Sequence, residues 1–318
     1  MKTGLRLISL FFMIQLTACE QFAQFSTSEK HAQIAHTSLA KHAKRTFWQT
    51  LHQGRYQDID AANTLLTAAY LQTANDPELA AYIGFLHIWK ITERGRLKTE
   101  SPFITNEIIL SSKYFSDALS LDPKNSIFLG FLGDSHLVEG KIFGDERQQT
   151  RGYFELQRAI HAWPEFNYFT AGYPMSSLPA TSKYFQEGVD WQWKTLDLCA
   201  DHRIDRQHPD FKPYMHRETQ QGAQRACWNS WAAPHNFEGF FLNMGDMVVK
   251  SGDWQTGIQL YQNTKLSKTY YQWPYRSLLE KRIRQAKINV TRFNESHKEA
   301  DKTVMFHSGY GCVACHQY

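Results

Sequence analysis

Two cysteines three positions apart, followed at once by a histidine, stand near the end of this chain as Cys312-Val313-Ala314-Cys315-His316. Thiols at this spacing reach the two vinyl groups of one porphyrin and form thioethers. The imidazole of the next residue then falls under the iron as its proximal ligand. The pattern predicts one covalent haem c, anchored by Cys312 and Cys315 and ligated axially by His316. Two other chemistries use the same residue types. A thioredoxin-like thiol pair opens a helix after a strand, and no strand signal precedes Cys312. Zinc would need a fourth ligand. Met305, His307, His297 and the distant His235 are the candidate sixth ligands of the iron.

Haem attachment needs export, and the other end of the chain carries the signs of it. Lys2 and Arg6 precede an apolar run from Leu7 to Leu16, and Leu16-Thr17-Ala18-Cys19 closes the run with small residues before a cysteine. The run is shorter than the ~20 apolar residues a membrane-spanning helix needs. Residues 1–19 resemble the signal and lipobox of bacterial lipoproteins, which implies removal of residues 1–18 and acylation of Cys19. Several acyl chains on one residue anchor stably where a single chain binds marginally. Glu20 rather than an aspartate follows the cysteine, which by the habit of that family directs the protein to the outer membrane.

With Cys19 assigned to lipid and Cys312 and Cys315 to haem, two of the five cysteines remain, Cys199 and Cys227. In an oxidising compartment they are expected to pair as a disulfide. The competing reading is a metal site built from the same two thiols with His202 or His208, although zinc ligands are usually more closely spaced. A formal net charge of +4, which falls to +2 once Lys2 and Arg6 leave, gives no excess for nucleic-acid binding.

Between these ends the apolar periodicity is helical almost throughout. Helices are predicted over residues 39–53 and 58–73, then 78–93 and 105–121, with Asn75-Asp76-Pro77 as a start signal and Leu121-Asp122-Pro123 as a stop. Such pairing resembles the tetratricopeptide repeat, a helix-turn-helix unit of about 34 residues. Phe241, Met244 and Gly245 match its first helix, Gly252-Asp253-Trp254 its turn, and Gly257 and Tyr261 its second helix. Thr264 and Thr269 replace the usual alanine and proline. A second copy reads Leu129, Leu132, Gly133 and Gly140, then Gly152, Leu156, Ala159 and Pro164, with its turn lengthened by residues 143–150. A third is partial: Gly84, then Ser111, Phe115, Ala118 and Pro123. Three to five such units are expected, because a lone pair cannot bury its apolar face.

Residues 174–240 depart from this pattern. Five prolines interrupt it, a helix over 186–198 carries Trp191 and Trp193, and a second over about 217–231 carries Cys227, Trp228 and Trp231. The aromatics there form either core or a binding groove. After a basic helix over 278–290, residues 303–311 resemble the lead-in to the haem-binding turn of a class I cytochrome c, without the downstream methionine of that family. Cytochromes of the c-prime type also carry the motif late, but Gly309 and Gly311 break the helix they would need.

The fold expected is all-α: a tetratricopeptide-like helical-repeat solenoid over 39–290, preceded by a signal peptide (1–18) and a tether (19–38), and followed by a short haem-binding tail (291–318). The function this implies is a lipid-anchored, periplasm-facing protein of the bacterial cell envelope. Its repeat surface would dock a protein or peptide while its haem exchanges electrons with a redox partner. Two alternatives stand beside it, a non-redox scaffold and a five-coordinate haem enzyme or sensor for peroxide, oxygen or nitric oxide. No nucleophile, base or carboxylate pair at telling spacing marks a catalytic site.

Overall fold

Polar residues that satisfy the free amides of a first helical turn punctuate this chain, and the helices begin where they stand. The structure is a computed structural model that describes residues 30–94, 99, 101–228 and 238–295. Thr37 caps α1 (Ser38–His52), and α2 covers Ile59–Gln72. Asp76 accepts from the amides of Glu78 and Leu79 to start α3 (Pro77–Thr92), with Pro77 in the first turn, where its missing N–H costs nothing. After α4 (Asn106–Leu121), Asn125 caps α5 (Ser126–Phe143) and Asp145 caps α6 (Glu146–Ala162). Then follow α7 (Pro164–Ser176), α8 (Lys183–Ala200, capped by Ser182), α9 (Glu238–Lys250), α10 (Trp254–Asn263, capped by Asp253) and α11 (Arg276–Arg292). Among the described residues every regular element is helical.

These helices pack chiefly against their sequence neighbours, as α1/α2, α3/α4, α5/α6, α7/α8 and α9/α10, with α11 laid on the last pair. Each pair therefore rests on the next, which makes the chain an all-α helical repeat.

A single register underlies the pairs. In α9/α10, Gly245 faces Tyr261 and Gly257 faces Val249; a Cβ placed on Gly245 would lie 2.3 Å from the Tyr261 ring. In α5/α6, Gly133 and Gly152 meet backbone to backbone. The small, large and small positions of the second helix recur four and then three residues apart: Ser111, Phe115, Ala118; Gly152, Leu156, Ala159; Gly257, Tyr261, Thr264. Two further pairs keep the same steps, Ala62, Leu66, Ala69 in α2 and Gly188, Gln192, Thr195 in α8. All of these second-helix residues are buried.

The register extends to polar groups. Three residues after the glycine of the first helix stand His87 in α3 and His136 in α5. Each reaches a glutamate of its partner helix: His87 Nδ1 to Glu107 Oε2 at 2.6 Å, and His136 Nδ1 to Glu155 Oε2 at 2.5 Å. Burial pushes both carboxyls up, but hydrogen bonds from His87 and Lys90 to Glu107, and from His136 and Arg151 to Glu155, outweigh it and hold them below the usual carboxylate range.

Three sequence expectations change here. Residues 143–150 do not form a long turn: α5 runs to Phe143 and α6 starts at Glu146. The step from Gly133 to Gly152 exceeds that from Gly245 to Gly257 by seven residues, about one added turn on each helix, so the glycines still meet. The region from 174 holds a repeat pair after all, α7/α8, with Pro174 accommodated inside α7. Finally, the helix expected over 217–231 is not formed across its described part. Thr219 and Trp228 close a loop through two hydrogen bonds of 2.9 Å, Gly222 takes φ +66°, and only a short 3₁₀ turn spans Ala223–Ala226.

Substituting Gly245 by valine should destabilise the fold by about 2–3 kcal/mol, because the aromatic ring against it must shift in a filled core. Urea unfolding will show this as a lower midpoint at unchanged slope, whereas Gly144→Ala, with no neighbour within 4 Å but a left-handed φ of +68°, should cost about 1 kcal/mol through backbone strain alone.

Candidate functional site

Where the sequence places chemistry, the described structure reaches one of the sites. Cys312, Cys315, His316 and Cys19 lie outside the described residues, as do Met305, His307, His297 and His235.

Cys199 and Cys227 are joined as a disulfide, with Cα atoms 5.4 Å apart. It ties the end of α8 to the loop closed by Thr219 and Trp228, and the Trp228 indole N–H donates to the Cys199 carbonyl at 2.9 Å. The alternative metal site is not built: both sulfurs are spent in the bond, His202 binds the Ala200 carbonyl and the Tyr214 hydroxyl, and His208 lies exposed beside Asp205. Among the described residues no group of three or more His, Cys, Asp or Glu side chains is placed to hold a metal ion. The aromatics around the disulfide are core, since Trp191, Trp193 and Trp228 are all buried.

Among the described residues, two of the grooves that open to solvent bear on ligand binding. The first, about 420 Å³, runs across the first helices of three pairs and is walled by Phe47, Trp48, Tyr82, Phe85, Phe128 and Phe131. Its charged lining residues are Glu78 and Asp122. Phe47 stacks on Tyr82 at 4.3 Å, and the Trp48 indole N–H donates to the Tyr82 hydroxyl, so the wall is held rigid. Both aromatic walls and the rim carboxylates suit a protein segment bearing apolar and basic side chains.

The second groove, about 570 Å³, lies between α5/α6 and α7/α8. Leu137, Tyr153, Phe154, Met175, Leu178 and Tyr184 form its apolar surface, and Phe154 and Tyr184 are exposed there. Its charged lining is Lys141, Lys183 and Glu146. Lys141 Nζ donates to Ser177 Oγ at 3.1 Å, and just behind, buried Lys250 Nζ donates to the Ser176 carbonyl at 2.8 Å. Neither lysine has a carboxylate partner among the described residues. Burial, with a smaller contribution from the charge of Lys141, pulls Lys250 down to about 8.

Sequence reasoning missed both grooves. Their residues fall on different helices, and no short spacing joins Lys141 to Lys250. No known protein family matches this chain, and neither do curated proteins or solved structures. No helix among the described residues is long and apolar enough to cross a membrane.

Replacing both Cys199 and Cys227 by serine should lower stability by about 3–4 kcal/mol, the chain-entropy effect of opening a loop closed across a sequence separation of 28. Trp228 fluorescence in a urea titration reads it. A second expectation concerns pH. Between about pH 8 and the ordinary lysine range near 10.5, the folded chain has released the Lys250 proton while the unfolded chain keeps it. Stability should therefore rise with pH across that window in the wild type. In Lys250→Met the rise should be smaller, as measured by urea midpoints at stepped pH.

Proposed function

We propose that this protein is a lipid-anchored, c-type haem protein of the bacterial cell envelope that passes single electrons while its helical repeat holds a protein partner. The observation that carries the reading is Cys312-Val313-Ala314-Cys315-His316, two thiols and an imidazole at the spacing of haem attachment. Cys312 and Cys315 anchor the porphyrin, and His316 ligates its iron, which supplies one-electron exchange when bound. Cys19, after its apolar leader, takes the lipid and tethers the chain to the membrane surface.

The disulfide supports export, because such bonds persist in oxidising compartments and are rare in reducing ones. It also removes the two remaining cysteines from competition for haem. The aromatic groove between Phe47 and Phe131 offers the docking surface; Glu78 on it is already paired with Lys44, so Asp122 is the carboxylate that favours a basic partner. That groove would serve equally in a scaffold without haem, which is the second reading.

Expression of the full chain with an export pathway and haem-attachment machinery separates the two. One haem per chain is expected by pyridine haemochrome absorbance and intact mass, and Cys312→Ser with Cys315→Ser should abolish it. Colourless wild-type protein from such cells leaves the scaffold reading standing alone.

A further inference from the structure

Among the described residues, Lys141 and Lys250 converge on consecutive residues of one helix end, Ser176 and Ser177, with no carboxylate to answer them. Burying an ammonium without a counter-charge is costly, so an unpaired pair of cations beside an apolar groove marks a place for an anionic, largely apolar group. Arg94 lies close enough to Lys141 to add to the positive field. Glu146 and Lys183 also line the groove, one of each sign.

The chain itself leads to this groove. After α11, Asn294 Nδ2 donates to the carbonyl of Lys250 at 2.9 Å, and Phe293 is buried beneath the Arg282 guanidinium. The last described residues are thus fastened to the same lysine whose ammonium points at Ser176. Sixteen residues lie between Glu295 and Cys312, a reach of up to ~55 Å fully extended.

We propose that the groove between α5/α6 and α7/α8 is the dock for this chain's own segment 296–318, with the haem face against Tyr153, Phe154 and Tyr184 and the propionates against Lys141, in front of buried Lys250. The inference rests on the haem reading above. A haem is broad, flat and apolar, with two carboxylates on one edge. The groove volume of about 570 Å³ falls within the 300–1,000 Å³ range typical of cofactor sites. The aromatic groove at Phe47 and Phe131 does not suit the same group, because no lysine or arginine lines it and nearby Lys44 is taken up by Asp76 and Glu78.

The test uses the full, haem-loaded chain and the variants Lys141→Gln, Lys250→Gln and Phe154→Ala, with Lys194→Gln, ion-paired to Asp190 away from the groove, as control. Trypsin should cut at Lys298 and Lys302 about tenfold faster in the three groove variants, the change given by losing one contact worth ~1.4 kcal/mol. The two lysine variants should also shift the haem reduction potential downward, since removing a nearby cation favours the more positive oxidised iron. Lys141 and Phe154 are exposed, so these two variants keep the answer clear even if Lys250→Gln unfolds. Full haem content with unchanged cleavage and unchanged potential overturns the dock alone. Absence of haem from the wild type overturns both this proposal and the reading beneath it, and haem content tells the two failures apart.

Discussion

Close approach of two helices at a small residue is the constraint on which this fold depends. Tyr261 lies flat against the bare backbone of Gly245, and Gly152 rests on the carbonyl of Gly133. Side chains of ordinary size at these points would push the axes apart and open voids along the whole pair. Once the contact is made, the large residue four positions on fills the space to the next pair. Phe115 shows this, stacking on Phe131 of α5 while its ring covers Gly84 of α3. Local fit inside each pair and burial between pairs are therefore one event, which is the energetic logic of a repeat whose units contact only neighbours.

The position three residues after each first-helix glycine shows how the same geometry takes different chemistry. His87 and His136 occupy it in the earlier pairs and bond a partner glutamate. Met175 occupies it in α7 and Val248 in α9, both buried among apolar neighbours. Buried hydrogen-bonded polar pairs give little net stability but penalise any shift of one helix along the other, because a one-turn slip leaves both groups without a partner. The earlier pairs are thus pinned in register by these hydrogen bonds, and the later ones by shape and by the disulfide. Lys250, at the junction of α7, α9 and the chain leaving α11, departs from that pattern: its ammonium donates to the Ser176 carbonyl and lies over the Phe185 ring, with no carboxylate partner among the described residues.

Helix pairs were legible from sequence wherever the small and large positions kept their types, as in Gly133, Gly152 and Leu156 or Gly245, Gly257 and Tyr261. The pair α7/α8 escaped because Gln192 stands where an aromatic or leucine is usual and Pro174 sits inside a helix. In the folded chain Gln192 donates to the Phe169 carbonyl and lays its stem over Gly172, a tertiary contact invisible to periodicity. The loop of Trp228 was misread as helix because local propensity ignores the bond from Cys227 to Cys199, which dictates where that segment must go. For the candidate sites, the cysteine pairing could be reached by elimination, while the grooves could not. They arise from residues on several helices, up to 132 positions apart in the first groove and 47 in the second, that share only a destination.

Asp76 has a consequence beyond capping α3. This carboxylate is wholly buried, and besides the two helix amides it holds the backbone N–H of Ala35 at 2.8 Å and the ammonium of Lys44 at 3.0 Å. Next to it the Gln33 amide bonds the Asn75 carbonyl. The leading segment is thereby clamped across two helix pairs rather than hung from the first turn of α1. A mechanical load arriving along that segment is spread in shear over several bonds that must break together, so the repeat resists being peeled open from its front end.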